Sequence, residues 1–329
     1  MKRSSSISLM PRLSIVVPLF EEEENVRPLL ESLRGALAKL HILYEVVLVD
    51  DGSKDGTWGL IRHESSHDRR IKGISLSRNF GHQNAIFTGL HYCSGRAIIT
   101  MDGDLQHPPE TIPQMFDAWL RGYKVVETSR TESEDSPILK RLTSRAFYRM
   151  FSLLSGMPLD KGSSDFRLID KKVAEAIIAM RDTDLFLRGI SHWVGFPRVT
   201  IPYKAAVRHA GKTKFGPLKM LHFAVSSLFS FSTIPLRLGI WLGLMTSILA
   251  FCELVYIFIR YLQGASVPGW ASTLTVVSFM FGVLFIMVGI LGAYLGSIFD
   301  TVKKRPRFLV NETAGFSNDR QLHAIEKKG

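Results

Sequence analysis

Two short strings of carboxylates carry the first sign of chemistry. Asp102-Gly103-Asp104 follows the run Ile98-Ile99-Thr100. Carboxylates so spaced at the end of a strand suit a hard divalent cation, Mg2+ or Mn2+, which takes oxygen ligands and shares its shell with phosphates. Gln106 adds an amide oxygen two residues on. Asp50 and Asp51, followed by Gly52-Ser53, close a second apolar run. There an Asp-Gly pair either caps local backbone in a turn or hydrogen-bonds a nucleotide base or ribose. A bare D-x-D is a solvated turn more often than a metal site, and its place at a strand end is what raises it. His82, His91 and His107 lack the regular spacing of a zinc site and read as surface or packing residues.

Alternating elements must position these groups. Leu13–Phe20 is a short apolar run, the stretch from Glu24 has helical apolar spacing, and Glu45–Ser53 is a buried strand that stops at carboxylates and a turn. This is a βαβ unit. Strands at 71–77 and 96–102 with a helix near 82–93 continue it, predicting a largely parallel α/β sheet with helices on both faces. Ligands in such sheets bind beyond the C-terminal strand ends, where Asp50, Asp51, Asp102 and Asp104 all fall.

The chain has 329 residues, 46% hydrophobic and 22% charged, which excludes a disordered or fibrous chain. Two cysteines cannot build a disulfide framework. The 41 basic and 30 acidic residues leave a net +11, which suits nucleic acid, an anionic membrane surface or a phosphate-bearing substrate. No apolar core of a secretory signal follows the basic N-terminus. Ala271–Phe299 holds 29 residues without Asp, Glu, Lys or Arg, about 43 Å as a helix. Leu238–Ile259, interrupted by Glu253 alone, is a second span. Lys303, Lys304, Arg305 and Arg307 outweigh Arg260 of the connecting loop, so the positive-inside bias places both chain ends in the cytoplasm. Before the spans, Leu218, Leu221, Val225, Leu228 and Phe229 share one helical face, predicting an interfacial helix. Gly289, Gly292 and Gly296 suit close helix packing. The polar tail after Arg307 is expected to be loosely ordered.

The strings VVPLFEEEEN, VDDGSKDGT, LSRNFGHQNAIFTGL, MDGDLQHPPE, SDFRLID and RHAGKTKFG, in that order and followed by two spans, cover nearly the whole chain. This pattern resembles the polyprenyl-phosphate glycosyltransferases, among them the bacterial undecaprenyl-phosphate glucosyl- and aminoarabinosyl-type transferases, with a catalytic domain similar to dolichyl-phosphate mannose synthase. The resemblance implies a glycosyltransferase-A-type fold and inverting transfer from a nucleotide-diphosphate sugar, UDP-linked by preference, to a polyprenyl phosphate such as undecaprenyl phosphate. The product would be a lipid-linked sugar for modifying cell-envelope glycans such as lipopolysaccharide, made at the cytoplasmic face of the bacterial inner membrane. By motif, Pro18 and Asp51 line the nucleotide pocket with Asp50 and Asp102 as neighbours, and Asp102, Asp104 and Gln106 hold Mg2+ or Mn2+. Asp165 matches a catalytic carboxylate, either a general base or the orienting partner of Arg167. Arg208 and Lys214, with Arg188 as a further candidate, match a basic segment facing the acceptor phosphate or the pyrophosphate. Leu19, Phe20 and Glu21 replace a common Tyr-Asn-Glu pattern, His107 stands where Asp is frequent, and Thr213 with Phe215 replaces a Ser-Lys-Tyr pattern.

These readings divide the chain into a cytoplasmic glycosyltransferase domain (1–215), a juxtamembrane interfacial helix (216–235), two transmembrane helices (236–300) and a basic cytoplasmic tail (301–329). The partners implied are nucleotide sugar, prenyl phosphate and membrane, with a homo-oligomer left open. Nucleic acid is not among them, because much of the positive charge lies near the spans and no nucleic-acid module is visible. A processive polysaccharide synthase would carry a Q-x-x-R-W motif and more spans. A membrane-anchored nucleotide-binding scaffold without turnover would show broken motifs, whereas Asp104, Gln106, Asp165, Arg208 and Lys214 are all in place.

Overall fold

The structure is a computed structural model that describes residues 12–131, 163–180, 189, 194–204, 234–264, 269–303 and 305–316. They form two compact units, the first running to Lys204 and taking in the stretch from Pro306, the second made by two long helices.

In the first unit strands and helices alternate: β1 (Leu13–Leu19), α1 (Glu23–Ala38), β2 (Tyr44–Asp50), α2 (Thr57–His67), β3 (Ile71–Leu76), α3 (His82–Tyr92), β4 (Ala97–Thr100), α4 (Ile112–Leu120) and β5 (Val125–Arg130). Then come β6 (Ser163–Asp170), α5 (Lys171–Ala179), β7 (Arg198–Tyr203) and, after the second unit, β8 (Val310–Ala314). They build one sheet in the order β7-β5-β6-β4-β1-β2-β3-β8. β4, β1, β2 and β3 run parallel, as the βαβ pattern requires. All seven residues of β1 are buried, which is why its sequence is apolar except for Ser14, whose hydroxyl is satisfied by Glu45, instead of alternating. Leu13, Ile15, Val17 and Leu19 share a core with Leu29, Leu30 and Leu33 of α1 and Met115 of α4, while α3 covers the opposite face. There Gly89 lets α3 close on the sheet, since a Cβ at that position would stand 2.2 Å from Val16 Cγ1.

β6 pairs antiparallel with both β4 and β5. Its first residues therefore lie at the C-terminal end of the parallel strands, which carries Asp165 to the end where β2 and β4 deliver their carboxylates.

The tail differs from expectation. Val310–Ala314 pairs antiparallel with β3, and Trp58 Nε1 donates to Glu312 at 2.9 Å. Phe308 is buried beside Phe87 and His91. A polar five-residue edge strand has little periodic signal, yet it covers backbone groups that β3 would otherwise present as an open edge.

The second unit consists of α6 (Ile234–Leu262) and α7 (Trp270–Val302), both long and apolar enough to cross a membrane. Their close approach is at Gly243, where a Cβ would meet Met287 at 3.3 Å. Among the described residues nothing outside their own helix backbone lies within 4 Å of such a Cβ at Gly289, Gly292 or Gly296, so the packing expected of them is not made against α6. Glu253 lines a groove of about 300 Å³ between the helices with Thr246, Ala250 and Phe279. The expected interfacial helix lies outside the described residues, apart from its last two.

Candidate active site

The site is assembled from four strand ends and the first turn of α3. Pro18 is buried in β1 in register with Val49 of β2. The turn after β2 brings Asp50 and Asp51 together, and both are buried. Asp50 Oδ1 accepts the Ser53 N–H at 3.0 Å and Oδ2 accepts the Ser75 hydroxyl at 3.1 Å, so this carboxylate shapes the turn and ties it to β3. Gly52 is required there: its φ is +73°, and a Cβ would stand 2.4 Å from the Arg78 carbonyl carbon.

Asp51 reaches across to the next motif. Its Oδ1 accepts the Phe80 N–H at 2.7 Å and its Oδ2 the Gly81 N–H at 2.9 Å, immediately before α3 begins. Burial pushes the Asp51 carboxyl up from its ordinary value, against the two amide donors that favour its charged form. Asp50 and Asp51 thus both spend hydrogen-bonding capacity on the architecture of the pocket.

The turn after β4 carries the D-x-D pair. Asp104 is buried and its Oδ1 accepts the Gln106 N–H at 3.1 Å. Leu105 between them adopts φ +63°, unusual for a residue with a side chain. Asp102 Oδ1 is buried and among the described residues accepts no hydrogen bond, although His82 Nε2 stands 3.3 Å away. A buried carboxylate oxygen that accepts no hydrogen bond among the described residues, in a turn with Asp104 and Gln106, fits a hard cation that prefers oxygen. Among the described residues no three His, Cys, Asp or Glu side chains stand ready to enclose a metal.

Asp165, buried in β6, lies beside this turn. Its Oδ1 accepts from Arg167 Nη2 at 3.3 Å, and its Oδ2 accepts from Gln83 Nε2 at 3.2 Å, with His82 Nε2 at 3.6 Å. His82 therefore stands between Asp102 and Asp165. His107 is buried against Phe166, and burial holds its pKa below the ordinary imidazole value despite the carboxylates of Asp102, Asp104 and Asp165 nearby.

The structure thus brings Pro18, Asp50, Asp51, Asp102, Asp104, Gln106 and Asp165 to one end of the sheet. Arg188, Arg208 and Lys214 lie outside the described residues. His82, Gln83 and His107 join a site in which sequence reading had not placed them. The available signal was that His82 and Gln83 open a helix directly after a strand end, where doubly wound sheets expose their crevice.

Known proteins are similar to this chain in sequence. Residues 14–178 match the glycosyl transferase family 2 model. An uncharacterized glycosyltransferase of Synechocystis sp. is 36% identical over 304 residues, covering 92% of this chain and 96% of the relative. A prophage bactoprenol glucosyl transferase homolog of Escherichia coli is 35% identical over 300 residues, covering 91% and 98%. Among solved structures, a mannosyltransferase from Pyrobaculum calidifontis in complex with GDP-Man and Mn2+ is similar at TM-score 0.43 and 17% identity, covering 91% of this chain and 89% of that one. A chain matched over half its length by the family model and over nine-tenths by relatives at such identity has its lineage settled: it belongs to glycosyl transferase family 2.

Proposed function

We propose that the protein transfers a sugar with inversion from a nucleoside-diphosphate sugar, UDP-linked by preference, to the phosphate of a polyprenyl lipid at the cytoplasmic face of the membrane. The observation that carries the reading is the convergence of Asp51, Asp102, Asp104 and Asp165 at one end of the sheet, in a chain that also has two helices fit to span a bilayer. Relatives named bactoprenol glucosyl transferase support the lipid acceptor.

Asp51 and the α3 turn bound the nucleotide side of the site. Asp102, Asp104 and Gln106 would hold Mg2+ or Mn2+, which when bound stabilises charge developing on the leaving pyrophosphate. The acceptor is a phosphate monoester with a second pKa near 6, so it arrives largely as a dianion and needs little deprotonation. Asp165, clamped by Arg167 and Gln83, accordingly serves as a fixed anchor for these donors more than as a proton acceptor. Arg208, Lys214 and Arg188 supply the positive charge that meets the lipid phosphate.

The C-terminal strand supports the placing of both ends of the helix pair on one face, while the charge asymmetry around the spans chooses the cytoplasmic one. A chain that leaves the sheet unit, crosses a bilayer twice and re-enters the same sheet as β8 ends its second crossing on the face where it began. The test is to incubate purified full-length protein and undecaprenyl phosphate with UDP- and GDP-sugars, UDP-glucose first, and to identify lipid products by mass spectrometry. A hexose-phosphate lipid is expected. No lipid-linked sugar from any donor overturns the reading.

A further inference from the structure

His107 offers a firmer piece of chemistry than its neighbours, because its protonation pattern follows from its partners. The ring stacks on Phe166 at 5.1 Å between centroids and 14° between planes, and meets Tyr203 edge-on at 5.8 Å. Nδ1 lies 3.0 Å from the backbone nitrogen of Asp102. An amide N–H only donates, so Nδ1 accepts and the ring proton sits on Nε2. Nε2 is 2.8 Å from Ser164 Oγ, which therefore accepts from it. The same oxygen accepts the Phe166 N–H at 3.1 Å, and the Ser164 hydroxyl is hydrogen-bonded to Tyr203. Ser164 immediately precedes Asp165.

We infer that His107, as the neutral Nε2–H tautomer, is a positioning residue that joins the Asp102–Gln106 turn to β6 and so sets the D-x-D carboxylates in register with Asp165. It rests on the proposed function only for the meaning of those carboxylates. A buried ring with both nitrogens engaged and one face stacked on Phe166 has one orientation. The chain from Asp102 N–H through His107 to Ser164 spans 57 residues of sequence between its last two members. Residues that orient metal-ligating groups from behind typically change metal affinity or activity by about 10- to 100-fold when replaced.

Three variants of the full-length detergent-solubilised protein separate the contacts. His107→Phe keeps the ring and removes both hydrogen bonds, His107→Asn returns an acceptor near Nδ1, and His107→Gln returns a donor near Nε2. Mn2+ binding in the presence of UDP, read by calorimetry, should weaken about tenfold or more in His107→Phe and recover substantially in His107→Asn. With UDP-glucose and undecaprenyl phosphate, kcat should fall by a similar factor while KM for the lipid stays within about twofold. In 15N-histidine spectra of the wild-type protein, the resonances lost in all three variants should show protonated Nε2 and bare Nδ1. Protonated Nδ1, or wild-type Mn2+ affinity and kcat in His107→Phe, overturns the inference. If His107→Phe does not fold, His107→Asn and His107→Gln must each still show a loss in Mn2+ affinity, and wild-type affinity in both overturns it. If the wild-type protein transfers no sugar to the lipid, the proposed function fails while calorimetry and tautomer still decide the role of His107.

Discussion

At the scale of single residues, the carboxylates of the site differ in how the protein holds them. Asp50 and Asp51 accept hydrogen bonds from the protein through both oxygens, whereas Asp102 Oδ1 accepts none among the described residues and faces His82 Nε2 at 3.3 Å. Asp104→Asn preserves size and removes one negative oxygen from the pair, so turnover should fall at least about a hundredfold, equivalent to about 2.7 kcal/mol. EDTA should have the same effect on the wild-type protein. Near-normal turnover in Asp104→Asn, measured across a Mn2+ titration, would remove the metal role from this residue. A different buried carboxylate, Glu45, serves stability. Burial opposes its charge, but Lys72 and hydrogen bonds from Ser14 and Ser94 outweigh burial and hold its pKa below the ordinary value. A lowered folded pKa means stability that is present above the unfolded pKa, about 4.3, and is lost as pH falls through the folded value. Glu45→Gln should therefore destabilise by roughly 3 kcal/mol at pH 7, because Lys72 is left without its buried counter-charge. The gap in melting temperature from the wild type should close in acid, and a gap independent of pH would count against the ion pair.

At the scale of elements, α3 is the part on which the site turns. Its N-terminal approach binds Asp51 through Phe80 and Gly81, and its first two side chains reach Asp102 and Asp165. How deeply it seats depends on Gly89 against Val16. Gly89→Ala gains about 1 kcal/mol of helix propensity, while overpacking a well-filled interface costs about 1–3 kcal/mol. The second effect should win, because Val16 is fully buried and β-branched. Both melting temperature and UDP affinity should fall, and a more stable variant with normal UDP binding would show that α3 has room to spare.

At the scale of the whole molecule, the chain makes the sheet, then two apolar helices, then returns to the sheet edge as β8. The return requires both ends of the helix pair to lie on one side of a bilayer in either orientation, and only the charge asymmetry around the spans favours the cytoplasmic side. A cysteine at position 266, in the connection between α6 and α7, should react with a membrane-impermeant thiol reagent in intact cells, whereas one at position 317 should not. Reversed labelling would mean an inverted hairpin.

The alternation of strands and helices, both long apolar helices and the strand-end carboxylates were legible in the sequence, because each is written in local hydrophobic period and in turns at its boundaries. Resemblance to a glycosyltransferase family was legible for a different reason, the order of short contiguous motif strings along the chain. What only the tertiary structure decided are the pairings between distant segments. Gln83 meets Asp165 across 82 residues, and Trp58 meets Glu312 across 254. The antiparallel course of β6 turns Asp165 toward the D-x-D turn, and the polar edge strand β8 closes the sheet beside β3. Strand order and direction are set by how helices and strands bury one another's apolar faces, and nothing in the local period of a segment states which distant segment will lie beside it.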